Sequence, residues 1–406
     1  MMKLASARIG TWFSLAAVVG LGVLAACSGN SRGSGFDDGT NADGGGGDGG
    51  DNNGFGGQGD AGPCHIKAGD TSDFDKDGYS AADGDSDDCN PNINPGAFEV
   101  PGNGKDDDSD GEVDEVESCD DGLSMTSNDP YDGAKAMGLC KKVDPKATGK
   151  DKTWGVLSAK YMWPDGSTSS LDMDGFGIRD KLGVNNPQEG KAMLALSSGN
   201  ARSLSTHTKA KGGFSGRVHG PPSGYIVQEA PACAGKGVKT GPPQDGAALQ
   251  IQLRVPTNAK GFSYQQNFFT EEFPVYICSE FNDRFVTTLL PVPAGLPDTN
   301  NIAFDQDGNP ISVNNSLLQV CSPRTAGGKD FKCPLGPNTL SGTTFESHAA
   351  TGWLVTQAPA KPGDTITLTF AIWDSGDGAL DSTVLLDKFE WSNDEKNTGT
   401  APVPPK

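Results

Sequence analysis

The sequence predicts a mainly β protein: a jelly-roll-like antiparallel β-sandwich, preceded by a small irregular Asp-rich module and a disordered Gly-rich linker. Three observations carry that expectation. Segments in the second half alternate apolar and polar residues with a period of two, the mark of a half-buried antiparallel strand. Aspartates crowd between residues 70 and 117, too charged for a core. Glycine accounts for 57 of 406 residues, about twice the usual ~7%, so much of the chain is turn and linker.

The chain opens with Lys3 and Arg8, then an apolar run over 12–26 that ends in Leu24-Ala25-Ala26-Cys27. A short apolar run closed by small residues reads as an export signal, not a spanning helix. The Leu-Ala-Ala-Cys ending resembles the lipobox of bacterial lipoproteins. That resemblance implies cleavage before Cys27, diacylglycerol on its thiol and an acylated amino terminus. Two or three acyl chains anchor stably where one would be marginal. Ser28 stands where an inner-membrane retention signal would place Asp, so the expected location is the outer membrane, lipid-anchored, with exposure at the cell surface and an inner-face position both open. An ordinary secretory signal is the alternative.

Export fits the cysteines. Besides Cys27 there are eight, Cys64, Cys89, Cys119, Cys140, Cys233, Cys278, Cys321 and Cys333, and an even number in an exported chain reads as disulfides. Cys119–Cys140 and Cys321–Cys333 each bracket a short loop and are the expected local pairs. The pairing of Cys64, Cys89, Cys233 and Cys278 stays open. The C-x-x-C spacing of a zinc site does not occur.

Acids outnumber bases 53 to 32, for a net charge of −21. That balance excludes nucleic acid, whose binders need a basic face, and favours metal cations as partners. The four histidines, His65, His207, His219 and His348, lie apart in polar or Gly-rich contexts, and no G-x-S-x-G elbow occurs, so hydrolase triads are not expected.

Composition divides the chain into a signal (1–26), a lipidated Cys and Gly/Asp-rich tether (27–63), an acidic metal-binding module (64–118), a β-sandwich (119–394) and a disordered tail (395–406). The tether lacks apolar residues to bury and spans about 30–36 Å as a flexible coil.

Within the module, Asp73-Phe74-Asp75-Lys76-Asp77-Gly78 and Asp106-Asp107-Asp108-Ser109-Asp110-Gly111 share D-x-D-x-D-G spacing. Alternate carboxylates followed by Gly let the backbone wrap so that oxygens converge on one hard cation. In the second loop Asp114 and Glu117 fall at positions 9 and 12 of a calcium loop; the first needs Asp83, Asp85 or Asp87 to complete it. Flanking helices are not evident, so the loops are not expected to be EF-hands. Asp75-Lys76-Asp77-Gly78-Tyr79, Gly84-Asp85-Ser86-Asp87-Asp88, Asn90-Pro91-Asn92-Ile93-Asn94-Pro95-Gly96-Ala97 and Asn103-Gly104-Lys105 with the second loop together resemble the MopE-related metal-binding repeat. Its members commonly carry Cys where this chain has Ser86 and Ser109, and both being Ser fits the loss of one bridge as a pair. The all-oxygen donors favour calcium as the cofactor; copper, which prefers imidazole or sulfur, is the alternative.

Asn128-Asp129-Pro130-Tyr131 opens a short helix, with Asp129 as cap and Pro130 in its first turn. Strands are expected over 153–160, 192–196, 249–255, 275–278, 285–290, 353–357, 365–372 and 384–391. Many short strands with Gly/Pro turns between them give a sandwich.

Two motifs stand out here. Glu271-Glu272-Phe273-Pro274-Val275-Tyr276-Ile277-Cys278-Ser279-Glu280-Phe281-Asn282-Asp283-Arg284-Phe285 is one; Ala371-Ile372-Trp373-Asp374-Ser375-Gly376-Asp377-Gly378-Ala379-Leu380-Asp381-Ser382 is the other. With Gly190-Lys191-Ala192-Met193-Leu194-Ala195-Leu196-Ser197-Ser198-Gly199 they resemble the choice-of-anchor L domain over about 119–391. The resemblance implies a β-rich surface module and no agreed activity. Glu280, Asn282, Asp283, Asp374, Asp377 and Asp381 offer oxygens for a second metal site if their loops converge; closing turns is the competing role for such residues. The expected function is calcium binding through the Asp-rich loops in a non-catalytic adhesion or structural module, facing a surface protein or polysaccharide. A glycoside hydrolase using paired carboxylates and a copper-binding surface protein are the alternatives.

Overall fold

The computed structural model describes residues 67–202, 217–227, 229, 233, 239–296, 299–314 and 317–404, all within the unit Ala61–Lys406. The signal, Cys27, the tether and Cys64 lie outside the described residues. In chain order the elements are α1 (Pro130–Lys135), β1 (Gly155–Met162), β2 (Phe176–Arg179), β3 (Met193–Ser197), β4 (Pro243–Arg254), β5 (Gly261–Thr270), β6 (Arg284–Leu290), β7 (Ile311–Ser312), β8 (Arg324–Ala326), β9 (Lys329–Phe331), β10 (Ala349–Ala350), β11 (Leu354–Pro359), β12 (Thr365–Ser375), β13 (Ser382–Ser392) and β14 (Gly399–Pro402). Among the described residues no helix is long and apolar enough to cross a membrane.

Two antiparallel sheets form the sandwich. One runs β1-β4-β12-β6-β7; the other runs β14-β11-β5-β13-β3-β2, with β10 beside β5. Strands β3, β4, β5 and β6, and again β11, β12 and β13, alternate between the sheets, as jelly-roll-like winding requires. Period-two sequence explains the core: Leu249, Ile251 and Leu253 of β4 are fully buried, and Ile366, Leu368, Phe370 and Ile372 of β12 join them. Each such side chain stabilises the fold by about 1.5–3 kcal/mol. Across the sandwich the Tyr264 and Phe370 rings meet edge to face at 5.1 Å.

The short helix forms as its cap predicts, with Asp129 accepting from the Tyr131 N–H. Met137 and Leu139 beyond it are buried. Disulfides join Cys119 to Cys140, Cys233 to Cys278 and Cys321 to Cys333, and Cys89 is also disulfide-bonded.

Three expectations differ from the structure. Residues 275–278 are turn, not strand: Tyr276 N–H bonds back to the Glu272 carbonyl, and Cys278 sits at φ 57°. Strand β5 is central to its sheet yet unforeseen, because Gln265-Gln266-Asn267 interrupts its apolar pattern. Gln266 is nonetheless buried, donating to Thr356 Oγ1 at 3.1 Å. Gly399–Pro402, within the stretch expected to be a disordered tail, pairs with β11, since an unpaired edge there would leave ladder groups open.

The acidic module rests on the sandwich through defined contacts. Asn258 accepts from Phe98 N–H at 3.0 Å and donates to the Phe98 carbonyl at 2.9 Å. Thr257 N–H reaches the Gly96 carbonyl at 2.9 Å, and the Tyr79 hydroxyl reaches the Lys152 carbonyl at 3.0 Å.

Candidate metal centres

The two Asp-rich loops share one backbone shape. Position 4 has positive φ in both, Lys76 at 67° and Ser109 at 61°; Gly78 and Gly111 at position 6 stand at 104° and 99°. Glycine adopts that conformation without steric cost, which is why the spacing ends in Gly. At position 1, Asp73 accepts from the Lys76 and Gly78 N–H groups at 2.6 and 3.0 Å. Its counterpart Asp106 accepts from Asp110 and Gly111 at 3.1 and 3.0 Å. At position 5, Asp77 and Asp110 each accept from the N–H two residues on, at 2.8 Å.

Position 3 is different. Asp75 Oδ2 and Asp108 Oδ1 are buried with no donor of good geometry, though the Asn90 N–H lies beside Asp75, and Asp85 Oδ2 and Glu115 Oε2 are buried in the same way. Each position-3 carboxylate belongs to two acidic triads whose oxygens lie within 4.8 Å of one another. Asp75 joins Asp73 and Asp88 in one and Asp77 and Asp85 in the other; Asp108 joins Asp106 and Asp110, and also Glu99 and Glu115. Burial pushes Asp77 up to about 7, with Asp75 and Asp85 adding repulsion. It pushes Asp85 up to about 6, and Asp108 to about 6 with Asp110 beside it. Clustered carboxylates of this kind hold either protons or a cation.

Of the other residues read from the sequence, Asp83 is exposed and accepts from the Ser80 hydroxyl at 2.6 Å. Asp114 turns to the backbone N–H groups of Asn103 and Gly104, and Glu117 is exposed. Three participants escaped sequence reasoning. Asp88 receives the Phe74 N–H at 2.7 Å, and Glu99 receives those of Asp107, Asp108 and Asp114; Glu115 completes the second group. The signal for Asp88 lay in Asp85-Ser86-Asp87-Asp88, and for Glu99 just after the Asn94-Pro95-Gly96-Ala97 turn.

In the sandwich the two motifs meet at Asp283, which accepts from the Ser375 N–H and the Ser382 hydroxyl, but among the described residues no three carboxylate oxygens there lie within 4.8 Å of one another. Asn282, Asp283, Asp374 and Asp381 are buried at one end, together with Glu271 and Glu272 from the start of the first motif. Glu280 and Asp377 are exposed. The buried acidic residues at this end come from four chain segments.

This stretch also carries the comparison with known families. Residues 195–390 match the choice-of-anchor L domain. The choice-of-anchor L match runs from within β3 to within β13, beginning later than the expected 119 and excluding the Asp-rich loops. It contains every buried carboxylate just named. No curated protein matches the chain. Among solved structures, the K2 cleaved adhesin domain of Lys-gingipain aligns at 12% identity over 58% of this chain and 88% of its own, with a TM-score of 0.24. TmCBM61, solved with β-1,4-galactotriose, aligns at 7% identity over 66% of this chain and 99% of its own, with a TM-score of 0.23.

Proposed function

We propose that this protein is a lipid-anchored cell-surface binding module of the outer membrane, held there through Cys27, whose Asp-rich loops bind calcium and which acts without turnover. The observation that carries the metal reading is the repetition of one loop geometry around Asp75 and Asp108, each shared by two acidic triads and each with a buried oxygen that has no donor of good geometry. A solvated acidic spacer would need neither the shared backbone shape nor the buried oxygens. Donors made only of oxygen suit calcium better than copper. The match to the choice-of-anchor L domain supports a surface role, and a surface protein or polysaccharide is the expected ligand class. Burial of Asp283, Asp374 and Asp381 to 2% exposure or less keeps them from a polysaccharide chain, which favours binding over hydrolysis.

Calcium titration of the metal-stripped protein by calorimetry, with melting measured in calcium and in chelator, tests this reading. Binding heat and a calcium-dependent rise in Tm are expected, following RT ln(1 + [L]/Kd). An unchanged melt with no heat refutes it.

A further inference from the structure

Between residues 135 and 152 the sign of the chain reverses. Six lysines, Lys135, Lys141, Lys142, Lys146, Lys150 and Lys152, stand against two acids, Asp144 and Asp151, for a local net charge of +4 in a protein of −21. The fold lays this stretch along one edge of the sandwich. Strand β1 ends its sheet, and residues 141–143 run beside it. The Val156 N–H reaches the Lys141 carbonyl at 2.7 Å, and the Val143 N–H reaches the Val156 carbonyl at 3.0 Å. Residues 144–154 then loop back into β1, against which α1 packs.

Two half-buried rings mark the strip. The Lys135 and Lys142 ammonium groups lie 4.9 and 5.0 Å from the centroid of Tyr131, and that of Lys141 lies 4.8 Å from Trp154. Tyr131 is itself held, its hydroxyl donating to the Cys140 carbonyl beside the Cys119–Cys140 disulfide. Lys135 pairs with Asp132 at 3.0 Å, while the other five lysines make no ion pair among the described residues. Lys142, Lys146, Lys150 and Lys152 are exposed.

Lysines along a sheet edge guard it against pairing with another chain. That role needs only the residues beside β1. It accounts neither for the lysines of the returning loop nor for two ammonium groups drawn to one ring, whose mutual repulsion an anion relieves. Shape then limits the anion. The strip is a single segment beside one strand, and the acidic module adjoins it: the Lys141 charge acts on Asp108 of the second loop. A bilayer or a nucleic-acid duplex presents a broad negative surface that would meet those carboxylates too, within the ~8–10 Å over which charges are felt in salt. A single acidic chain avoids them, and Tyr131 and Trp154 offer apolar ring surface to sugars. We infer that residues 135–152 bind an acidic polysaccharide, its carboxylates on Lys142, Lys146 and Lys150 and its sugar rings against Tyr131 and Trp154. This ligand belongs to the class proposed above for the surface module and rests on that reading, but its binding needs no calcium.

The test uses the metal-stripped full chain in chelator at low salt, with polygalacturonate as probe and dextran as neutral control in affinity electrophoresis. Retardation by polygalacturonate and not by dextran is expected, fading as salt is raised. Lys142→Glu/Lys146→Glu should weaken it by about tenfold, as replacing two exposed ion pairs by two repulsions implies, with Tm unchanged. Lys332→Glu/Lys361→Glu, also exposed and identical in net charge, should bind as the unsubstituted chain does. Equal loss in the two double variants would show an effect of net charge alone and overturns the inference, as does no retardation of the unsubstituted chain. Tighter binding to phosphatidylglycerol vesicles or to DNA than to polygalacturonate gives the strip to another occupant and overturns it too. So does a dimer that Lys142→Glu/Lys146→Glu dissolves. Calcium binding by the loops is read separately by titration, so a failure here leaves that reading standing.

Discussion

The Ser86 and Ser109 hydroxyl oxygens lie 2.8 Å apart, and the Ser86 N–H also reaches Ser109 Oγ at 3.3 Å. These residues are 23 positions apart in sequence and join the second Asp-rich loop to the 85–88 segment that lies against the first, at the positions where the resembled repeat commonly carries Cys. The double substitution Ser86→Cys/Ser109→Cys is therefore expected to form a disulfide under oxidising conditions. Closing a loop of that size stabilises by about 3 kcal/mol in the chain-entropy treatment. Thiol titration and the melting temperature with and without reductant check it; two free thiols in the folded oxidised protein would contradict the placement.

Asp75 and Asp108 occupy equivalent positions, each shared by two triads. Asp75→Asn should remove binding at the first loop and Asp108→Asn at the second, each lowering the calcium bound by the module by about half while the other loop persists. Calorimetric stoichiometry distinguishes the two variants. Removal of all loop-bound calcium by either change alone would show that the loops do not act separately.

Stability without calcium should depend on pH in a stated direction. Asp77 is held near 7 and Asp85 and Asp108 near 6, against a reference of 3.8. The folded state thus binds more protons than the unfolded between about pH 4 and pH 7, so stability falls as pH rises through that window. In chelator, Tm should decline from pH 5 to pH 8. Saturating calcium should flatten or reverse the decline, because the cation replaces the protons. Calcium affinity should weaken as pH drops below about 6. Melting curves across pH in chelator and in calcium measure both effects.

Asn258 holds the module to the sandwich by satisfying both backbone groups of Phe98 while only 1% exposed. Asn258→Ala leaves those groups buried and unpaired, at a cost of about 1–3 kcal/mol. Earlier proteolysis within residues 67–118 than within the sandwich is expected. A single unchanged unfolding transition would show that the contact is dispensable.

Much of the fold was legible because strands β4 and β12 alternate strictly and place Leu249, Ile251, Leu368 and Phe370 on one face. Strand β5 was not, since Gln266 and Asn267 read as polar surface until hydrogen bonding and burial on both faces of a central strand are known. In the candidate site, the local carboxylates Asp73, Asp75, Asp77, Asp106, Asp108 and Asp110 were readable from spacing. Asp88, Glu99 and Glu115 were not, because their approach depends on how the intervening turns fold back.

The sequence by itself determined the period-two strands, the capped helix at Asp129 and the two D-x-D-x-D-G loops, all features set by interactions within a few residues of chain. Tertiary structure alone decided that Ser86 meets Ser109, that Gly399–Pro402 pairs with β11, and that Glu271, Glu272, Asp283, Asp374 and Asp381 share one buried end. The physical reason is separation along the chain. Contacts between residues 20 to more than 100 positions apart follow from sheet register and loop closure, and no local pattern encodes them.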